Sequence, residues 1–345
     1  MNPVSIRGEG VAASCCASLL QRAGLPVVRE VADRPRVPAI MLGETAQTLL
    51  GDVFERPDLF AEATPIRKRI VAWGADRTPL EFPHSSVVVS EGALLDRIHQ
   101  AIEFTESDRP TSRATRPAEA DWTIFASRPL PDGVVVHHFG SRQARASEVK
   151  LAAGAARNAC WVESLDAGWL FLLPGGHAGG QDGGWLLSVG GPVDSLLGQS
   201  SLVAKQISEI GAPSDEFPCH PRIADPLSQP GWLICGTAAV GFDPLCGDGA
   251  GYATREAILA SAVIRAAMQG GDPAALASHY RNGILAGFRK HLFASLEFYR
   301  QGRRGPWWDQ QRAEVERGLA WCAERLKGAG SVRFRLEGFE LHALT

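Results

Sequence analysis

The chain lacks the long hydrophobic runs, the paired-cysteine motifs and the excess of one charge that would each indicate a particular class of protein. Among its 345 residues, no apolar stretch approaches the roughly 20 residues of a membrane-spanning helix. The formal net charge of −3 argues against a nucleic acid or an anionic membrane surface as the main partner. The first strand is predicted to begin near Val4, which leaves no length for a secretory leader, so a cytoplasmic location is expected.

Metal-binding and disulfide-stabilised classes are also not indicated. The seven cysteines are odd in number and form no Cys-x-x-Cys pair, so neither a metal site nor a disulfide framework is expected. We find no internal repeat, no phosphate-binding P-loop and no Ser–His–Asp arrangement. Apolar residues make up 45% and charged residues 21% of the chain, as in an ordinary globular protein of one large or two interleaved domains.

The N-terminal segment has the spacing of a dinucleotide-binding βαβ unit. A strand over 4–7 is followed by a Gly-x-Gly-x-x-Ala turn, a helix and a second strand over 26–31. Gly8 makes the tight turn, Gly10 lets the backbone approach a pyrophosphate, and the small Ala13 allows close helix–strand packing. A tight strand–helix turn that binds no ligand gives the same pattern.

The same fingerprint requires an acidic residue at the end of the second strand, where it binds a ribose hydroxyl. Glu30 is the candidate, although it falls early in the spacing, and Asp33 lies further away.

A second glycine-rich turn lies far along the chain. A short apolar strand over 232–235 leads into a loop with several glycines and then into an alanine-rich helix from about Ala250. The small residues of such a loop admit bare backbone against a flat or anionic ligand, and the N–H groups at the helix start favour negative charge.

Between these two turns the sequence becomes rich in strand-forming residues. Short β-rich runs separated by glycine-rich turns predict an inserted antiparallel sheet, with strands over 134–139, 159–165, 169–173 and 185–189. A polar, aperiodic loop is predicted over 105–119. Helices are predicted over 93–104, 250–268, 273–299 and 307–327.

The motifs occur in the order found in one family. They are Gly8-x-Gly10-x-x-Ala13, Leu42-Gly-Glu-Thr45, Trp73-Gly74, Ala120-Asp-Trp-Thr-Ile-Phe-Ala-Ser127, Trp169-Leu-Phe-Leu-Leu-Pro174 and Gly236-x-Ala-Ala-x-x-x-Asp-Pro-x-x-Gly-x-Gly249. Together they resemble the FAD-dependent aromatic hydroxylases and flavin-dependent halogenases built on the p-hydroxybenzoate hydroxylase plan. The segment Phe298-Tyr-Arg…Trp307-Trp308 is most similar to the branch that modifies tryptophan in a partner protein during tryptophylquinone cofactor formation.

The resemblance implies an α/β fold: a discontinuous Rossmann-like FAD-binding domain, an inserted antiparallel β-sheet substrate domain and a helical C-terminus. The FAD-binding domain would comprise 1–60, 115–132 and 225–270, the substrate domain 61–114 and 133–224, and the C-terminal helices 271–345. The implied FAD-binding residues are Gly8, Gly10, Ala13, Glu30, Thr237, Asp243, Pro244, Gly247, Gly249 and Ala250. Aromatic substrate would lie against Trp169, Phe171 and His177.

Three positions depart from the family pattern. Thr237 stands where the family has an aspartate on the ribityl chain, and Glu91 stands where it has an arginine near the cofactor. Arg128 is a candidate replacement for that cation, and a solvated arginine at a strand end is the alternative. The loss of one charged hydrogen bond costs about 1.5–3 kcal/mol, so we expect weak or partner-dependent FAD binding.

The implied activity is that of an FAD-dependent monooxygenase, which hydroxylates an aromatic ring through a peroxyflavin. The substrate would be an aromatic small molecule or a protein-bound tryptophan, and reduction would require NAD(P)H or a separate flavin reductase. One alternative is halogenation, which in this family needs a catalytic lysine, and neither Lys68 nor Lys150 has a suitable context. The other is a maturation or binding protein that has lost efficient FAD binding.

Several remaining residues are interpreted as structural. His137 and His138 lie on one predicted strand, so their rings face opposite ways and cannot share a metal. Arg142 and Arg145 are expected on a solvated face. Cys246 lies in the second glycine turn, where a small loop residue is favoured over a thiol that reacts with flavin.

Overall fold

The computed structural model describes residues 2–31, 36–76, 78–101, 121–175, 182–328 and 333–344. The helices are α1 (Val11–Arg22), α2 (Glu44–Phe54), α3 (Glu91–Ala101), α4 (Val193–Gln199), α5 (Gly249–Met268), α6 (Pro273–Gln301) and α7 (Pro306–Leu326). The strands are β1 (Val4–Arg7), β2 (Val27–Glu30), β3 (Ile40–Gly43), β4 (Thr64–Ala72), β5 (Leu80–Val89), β6 (Trp122–Phe125), β7 (Val135–His138), β8 (Gln143–Leu151), β9 (Ala159–Leu165), β10 (Gly168–Pro174), β11 (Gly183–Gly190), β12 (Ile207–Pro213), β13 (Phe217–Pro218), β14 (Arg222–Asp225), β15 (Ser228–Gln229), β16 (Trp232–Ile234), β17 (Val240–Gly241), β18 (Phe334–Glu337) and β19 (Glu340–Ala343).

The first sheet joins strands that lie far apart along the chain. Its strand order is β15-β16-β6-β1-β2, and β16, β6, β1 and β2 run parallel. The predicted βαβ start is confirmed, with β2 slightly shorter than expected. Because the carboxyl ends of parallel strands meet at one edge, the turns that follow β1, β6 and β16 lie together there.

The second sheet is larger and more mixed than predicted. Its strand order is β12-β8-β11-β10-β9-β4-β5-β3, with β13 paired to β8. The predicted strands over 159–165, 169–173 and 185–189 pair antiparallel as β9, β10 and β11. The predicted strand over 134–139 lies instead in a separate sheet, as β7 beside β14 and β17. The sheet also continues through a parallel pairing of β4 with β9, which was not predicted because periodicity identifies strands but does not specify their partners.

The two faces of this large sheet pack against different layers. Cys160, Val162 and Phe171 belong to the main core, which they share with the first sheet and the C-terminal helices. Trp161 and Leu172, which alternate with them, belong to a second core that includes residues of α4. Strand alternation therefore defines an inner face of the large sheet, and this face is directed toward the first sheet.

The C-terminal region is helical as predicted over α6 and α7, but it ends in the β18–β19 hairpin, which the sequence analysis missed. The predicted loop over 105–119 lies outside the described residues. The division of the chain into FAD-binding and substrate segments stays a prediction.

A buried carboxylate ties β9 to the segment after α4. Glu163 accepts hydrogen bonds from the backbone N–H groups of Ser201 at 2.8 Å, Leu202 at 3.1 Å and Val203 at 2.9 Å, and from the Ser200 hydroxyl. Burial raises the pKa of this carboxyl, but the hydrogen bonds outweigh it and hold the pKa below its usual 4.5.

We expect Glu163→Gln to lower the free energy of unfolding by about 1.5–3 kcal/mol near neutral pH, because charge-assisted hydrogen bonds are lost. The depressed pKa contributes stability above the ordinary value of 4.5, and that stability is lost as pH falls through the folded-state pKa. The gap between variant and wild type should therefore shrink in acid. Urea unfolding near neutral pH and again in acid measures the difference in unfolding free energy between variant and wild type. The exposed Glu148→Gln serves as control. A gap that does not change with pH would contradict a charged Glu163.

Candidate flavin site at the edge of the parallel sheet

The first glycine turn has the backbone that its residues require. Gly8 and Gly10 have φ of +119° and +106°, a region that disfavours residues with a side chain. A Cβ atom on Gly8 would lie 2.3 Å from Ser127 Oγ, just after β6. Gly10 caps α1 without a side-chain hydrogen bond, and no acidic residue lies in the first turn. This helix start is therefore suited to an anion.

The two distant glycine turns meet at the sheet edge. A Cβ atom on Gly236 would lie 2.7 Å from the Cβ of Ala12 in α1, and Gly236 has a φ of +64°. The backbone N–H of Cys235 donates to the carbonyl of Phe125 at 2.9 Å, which ties this turn to β6. Ala13, the third small residue of the fingerprint, is fully buried beneath them. The small side chains thus permit a three-way contact that no larger residues would allow.

Glu30 lies at the end of β2, where the ribose contact was predicted, but it already has protein partners. Its carboxylate lies 3.1 Å from Arg7 Nε and accepts from the Ser5 hydroxyl at 3.3 Å. The carboxylate is half exposed, so it remains reachable from solvent. Glu91, in contrast, is buried, and its side chain accepts from the backbone N–H of Val37 at 2.8 Å.

Asp243 holds the second glycine loop instead of facing a ligand. Its carboxylate accepts from Leu245 N at 3.0 Å and from the Tyr299 hydroxyl at 2.8 Å, and it lies 3.1 Å from Arg142 Nη2. The side chains of Asp243 and Arg142 are both completely buried. Arg142 was expected on a solvated face, and that expectation was wrong because α6 and α7 cover it.

One face of α6 fixes the loop from outside. His291 Nε2 accepts from Asp243 N at 2.9 Å, the Ser295 hydroxyl lies 3.4 Å from Cys246 Sγ, and Tyr299 binds Asp243 as described. These three helix residues are spaced by four, so they point the same way. Burial lowers the pKa of His291 to about 4, so its imidazole is neutral and accepts. The loop is therefore held rigidly before any ligand binds.

The rest of this loop, from Pro244 to Gly249, ends beside open space. Pro244 begins a short 3₁₀ turn, and Gly247 has a φ of +65° with its backbone near Met41. A Cβ atom on Gly249 would meet nothing within 4 Å. Gly249 and Ala250 open α5, whose N-cap makes no side-chain hydrogen bond. These open N–H groups and the open space at Gly249 fit the edge of an isoalloxazine ring.

Arg222 lies beside Thr237, and a second arginine, Arg128, lies near Arg222. Arg222 Nη2 donates to the Thr237 carbonyl at 3.4 Å, and Arg128 is close enough that, after burial, it lowers the pKa of Arg222. No carboxylate in the described parts of the chain pairs with either arginine. His138, which pairs across the strands with Arg222, has its pKa lowered by burial and by both arginines. The patch is electropositive. Arg128 is exposed, as expected for a solvated arginine at a strand end, and a cofactor contact for it stays a prediction.

The paired histidines face opposite ways, as predicted. His138 Nδ1 lies 2.8 Å from His220 Nε2, whereas the His137 ring lies tilted against Trp321, with ring centroids 4.9 Å apart, and its Nε2 lies 3.8 Å from Asp225 Oδ2. Among the residues that the structure describes, no group of three or more His, Cys, Asp or Glu side chains could hold a metal ion. None of the described helices is long and apolar enough to span a membrane.

The substrate residues predicted from the sequence lie on the inner face of the large sheet. Trp169 and Phe171 are buried there, and among the described residues the indole N–H of Trp169 has no hydrogen-bond partner. His177 falls outside the described residues. Cys246 is also near this face, and burial raises the pKa of its thiol to about 12, so it stays protonated and unreactive.

Sequence reasoning missed Arg69, which projects from the same face. Its Nη2 lies 3.4 Å from the carbonyl of Leu245, and its guanidinium lies 5.8 Å from the centroid of Phe171. The strand reads Arg67-Lys-Arg69, so the segment resembles a solvated basic face. Only strand alternation into the apolar residues that follow could have shown one of these cations pointing inward.

Comparisons with known proteins identify the fold. No family model matches the chain, and no curated protein sequence matches it. Solved structures do match over nearly the whole chain. A peptidyl tryptophan dihydroxylase essential for tryptophylquinone cofactor biogenesis, QhpG, has a TM-score of 0.66 at 20% identity, covering 90% of this chain and 78% of its own.

Two further structures extend the likeness. The flavin-dependent halogenase CmlS has a TM-score of 0.73 at 17% identity, covering 99% of this chain and 84% of its own. The p-nitrophenol 4-monooxygenase PnpA of Pseudomonas putida DLL-E4 has a TM-score of 0.68 at 12% identity, covering 95% of this chain and 97% of its own. The chain thus has the fold of the flavin-dependent halogenases and monooxygenases, which confirms the resemblance expected from its motifs.

Proposed function

We propose that this protein is an FAD-dependent monooxygenase that hydroxylates an aromatic substrate. The observation that carries the proposal is the meeting of two glycine turns, from opposite ends of the chain, at the carboxyl edge of a parallel sheet. Each turn leads into a helix whose N-terminus no side chain caps. One extended dinucleotide would satisfy both helix starts at once.

The chain's own residues divide the work of holding such a cofactor. Gly10 and the start of α1 would bind the pyrophosphate, with Arg128 and Arg222 supplying positive charge beside Thr237. The start of α5, from Gly249, would stabilise negative charge on the flavin ring. A bound flavin supplies the oxygen chemistry, namely the activation of dioxygen for transfer to an electron-rich ring. The buried inner face of the large sheet would exclude water and orient the aromatic substrate.

The substrate is proposed to be an aromatic small molecule or a tryptophan within a partner protein. The second option rests on the likeness to QhpG, whose described substrate is a peptidyl tryptophan. Reducing equivalents would come from NAD(P)H or from a separate flavin reductase.

Two measurements test the proposal. Purified protein should bind FAD at micromolar concentration, as measured by quenching of flavin fluorescence. In the presence of a reductant, an accepted aromatic substrate should gain the mass of one or more oxygen atoms. Protein that leaves FAD fluorescence unchanged at high concentration would refute the proposal.

Halogenation is disfavoured by the positions of the lysines. Lys68 pairs with Glu81 at 2.7 Å and Lys150 with Glu209 at 3.0 Å, and all four side chains are largely exposed. Neither lysine therefore lies in the candidate site. A product that gains halogen in a halide-dependent reaction would reverse this ranking.

A maturation or binding role with weak FAD affinity is the second candidate. It is favoured by Glu30, which is already paired with Arg7, and by Asp243, whose carboxylate is fully used within the protein. A chain with this role would fold normally but bind FAD only in the presence of its partner.

We expect Arg222→Met to weaken binding of FAD and of ADP about tenfold, because one charge-assisted contact to phosphate is lost. Riboflavin, which has no phosphate, should bind equally well to both proteins. Calorimetric titration with all three ligands measures the difference, and the exposed Arg145→Met serves as control. Equal losses for riboflavin and FAD would show that Arg222 acts on the fold and not on phosphate.

A further inference from the structure

A chain of aromatic rings leads from the second glycine loop toward the surface. Tyr299 is at its inner end, where the phenolic hydroxyl donates to Asp243 Oδ2 at 2.8 Å. The ring of Trp308 comes next, with its centroid 5.8 Å from that of Tyr299. Trp307 and Trp73 lie beyond it, with ring centroids 4.9 and 5.4 Å from Trp308. Each of these pairs is within the distance at which aromatic rings contact one another.

The two ends of this aromatic chain differ in exposure. Tyr299 and Trp308 are completely buried, whereas Trp307 and Trp73 are half-buried and reach solvent. Complete burial is unusual for tryptophan because of its size. Here it depends on Gly302, since a Cβ atom at that position would lie 2.3 Å from the indole of Trp308. The spacing of the rings is therefore fixed by close packing.

The inner end of the aromatic chain has a group that can take up a proton. Tyrosine and tryptophan are the side chains that lose one electron most readily, and an oxidised phenol loses its proton at once. The Asp243 carboxylate already accepts a hydrogen bond from the Tyr299 phenol, so it is in place to receive that proton. Burial raises the pKa of Tyr299, so the resting protein keeps the phenol protonated.

The middle of the aromatic chain is suited to passing an electron on. The indole N–H of Trp308 donates to the carbonyl of Leu165 at 2.9 Å, and a carbonyl does not take up a proton. An oxidised Trp308 would therefore keep its positive charge until it received an electron from Trp307 or Trp73. Oxidation at the glycine loop thus moves outward, to the rings that solvent can reach.

We propose that this aromatic chain carries electrons from the surface to the flavin loop, where they remove oxygen radicals that form when oxygen activation fails. The proposal rests on the proposed function only for the source of the radical. A hydroxyl radical at the loop takes one electron from Tyr299 and becomes hydroxide, and the phenolic proton passes to Asp243. Trp308 then returns an electron to Tyr299, and the proton comes back from Asp243. Trp308 is reduced in turn by Trp307 or Trp73, which receives its electron from a thiol or ascorbate in solution.

The first test uses the cofactor-free protein and an oxidant in solution. Flash photolysis of tris(bipyridine)ruthenium with an electron acceptor generates ruthenium(III), and electron paramagnetic resonance of rapidly frozen samples detects a tyrosyl radical. All proteins carry Tyr252→Phe, so the remaining tyrosines are Tyr280 and Tyr299, both completely buried. Tyr280 donates to the carbonyl of Ile234 and lies outside the aromatic chain. We expect a tyrosyl signal that Tyr299→Phe abolishes and Tyr280→Phe retains.

The link between surface and loop is tested by interrupting it. Trp308→Phe keeps an aromatic ring but removes the oxidisable indole, so it should lose most of the Tyr299 signal. The double variant Trp73→Phe/Trp307→Phe removes both half-buried indoles, leaves the buried rings in place and should lose most of the signal as well. Trp161→Phe removes an equally buried indole from the second core and should retain the signal. Circular dichroism shows whether each variant is folded.

The second test uses the protein loaded with FAD. After reduction by dithionite and reoxidation in air without substrate, mass spectrometry should locate oxidised side chains at Trp73 and Trp307 in wild type. In Trp308→Phe the oxidation should fall on Tyr299 instead, and ascorbate should suppress the oxidation of Trp73 and Trp307 in wild type.

The outcomes are separable from those of the proposed function. The absence of a tyrosyl signal in the Tyr252→Phe parent, or a signal that survives Tyr299→Phe, would overturn the proposal. A signal that survives both Trp308→Phe and the double variant would overturn it too, as would oxidation in the loaded protein that spares Trp73 and Trp307. If the radical forms at Tyr299 through Trp308 but the protein binds no FAD, the proposed function fails while the electron path holds.

Discussion

Gly249→Val should lower the affinity for FAD at least about 100-fold, or ~2.7 kcal/mol, while leaving the protein folded. A Cβ atom at this position meets no protein atom within 4 Å, so a valine does not clash with the protein itself. The branched side chain would instead occupy the space above the start of α5, where the flavin ring is proposed to lie. Fluorescence titration measures the affinity, and thermal unfolding monitors the fold.

A matched control comes from α4. A Cβ atom on Gly198 would likewise meet nothing within 4 Å, but this glycine lies near the end of a helix on the far side of the large sheet. Gly198→Val should therefore bind FAD as wild type does. If Gly249→Val bound FAD equally well, the second glycine loop would not be the flavin contact. A large fall in melting temperature would instead assign Gly249 to the fold.

Arg142→Met should lower the free energy of unfolding by about 3–5 kcal/mol, because it leaves a buried carboxylate without its cation. Arg142 Nη2 lies 3.1 Å from Asp243 Oδ2, and Nη1 donates to Gln311 Oε1 at 2.7 Å. Its guanidinium also lies 4.8 Å from the ring centroid of Tyr299. One residue thus links the start of β8, α6, α7 and the flavin loop. Urea unfolding measures the loss.

The double variant Arg142→Met/Asp243→Asn tests the cause. Asparagine has no charge, its one amide oxygen can accept from Leu245 N, and its NH2 group can donate to the Tyr299 oxygen, so we expect the double variant to recover a large part of the stability lost in the single variant. The exposed Arg335→Met should have no measurable effect. A double variant less stable than Arg142→Met would show that the charge of Asp243 is not what destabilises it.

The local chemistry of the turns could be predicted from the sequence. Gly8, Gly10 and Gly236 adopt the positive φ values that their motifs require, and the strand alternation that separates His137 from His138 holds in the structure. These features depend on residues within a few positions of one another, so the pattern alone contains them. The order of such motifs along the chain was also enough to predict the overall fold.

The roles of the charged residues could not be predicted in the same way. Arg142 and Arg145 lie three positions apart in one polar segment, yet Arg142 is completely buried and Arg145 is exposed beside Glu216. Arg67 and Arg69 differ similarly. Whether a charge is solvated depends on what covers it, and α6 and α7, which cover Arg142, come more than a hundred residues later in the chain.

The sequence by itself determined the two glycine turns, the helices that follow them and the fold to which they belong, because each is encoded by local spacing. Only the tertiary structure decided that the turns meet, that Asp243 serves the loop and not a ligand, and that Arg69 and Arg222 have no counter-ion among the described residues. The reason is that charge balance and close contact depend on distances between segments far apart along the chain, which local residue patterns do not specify.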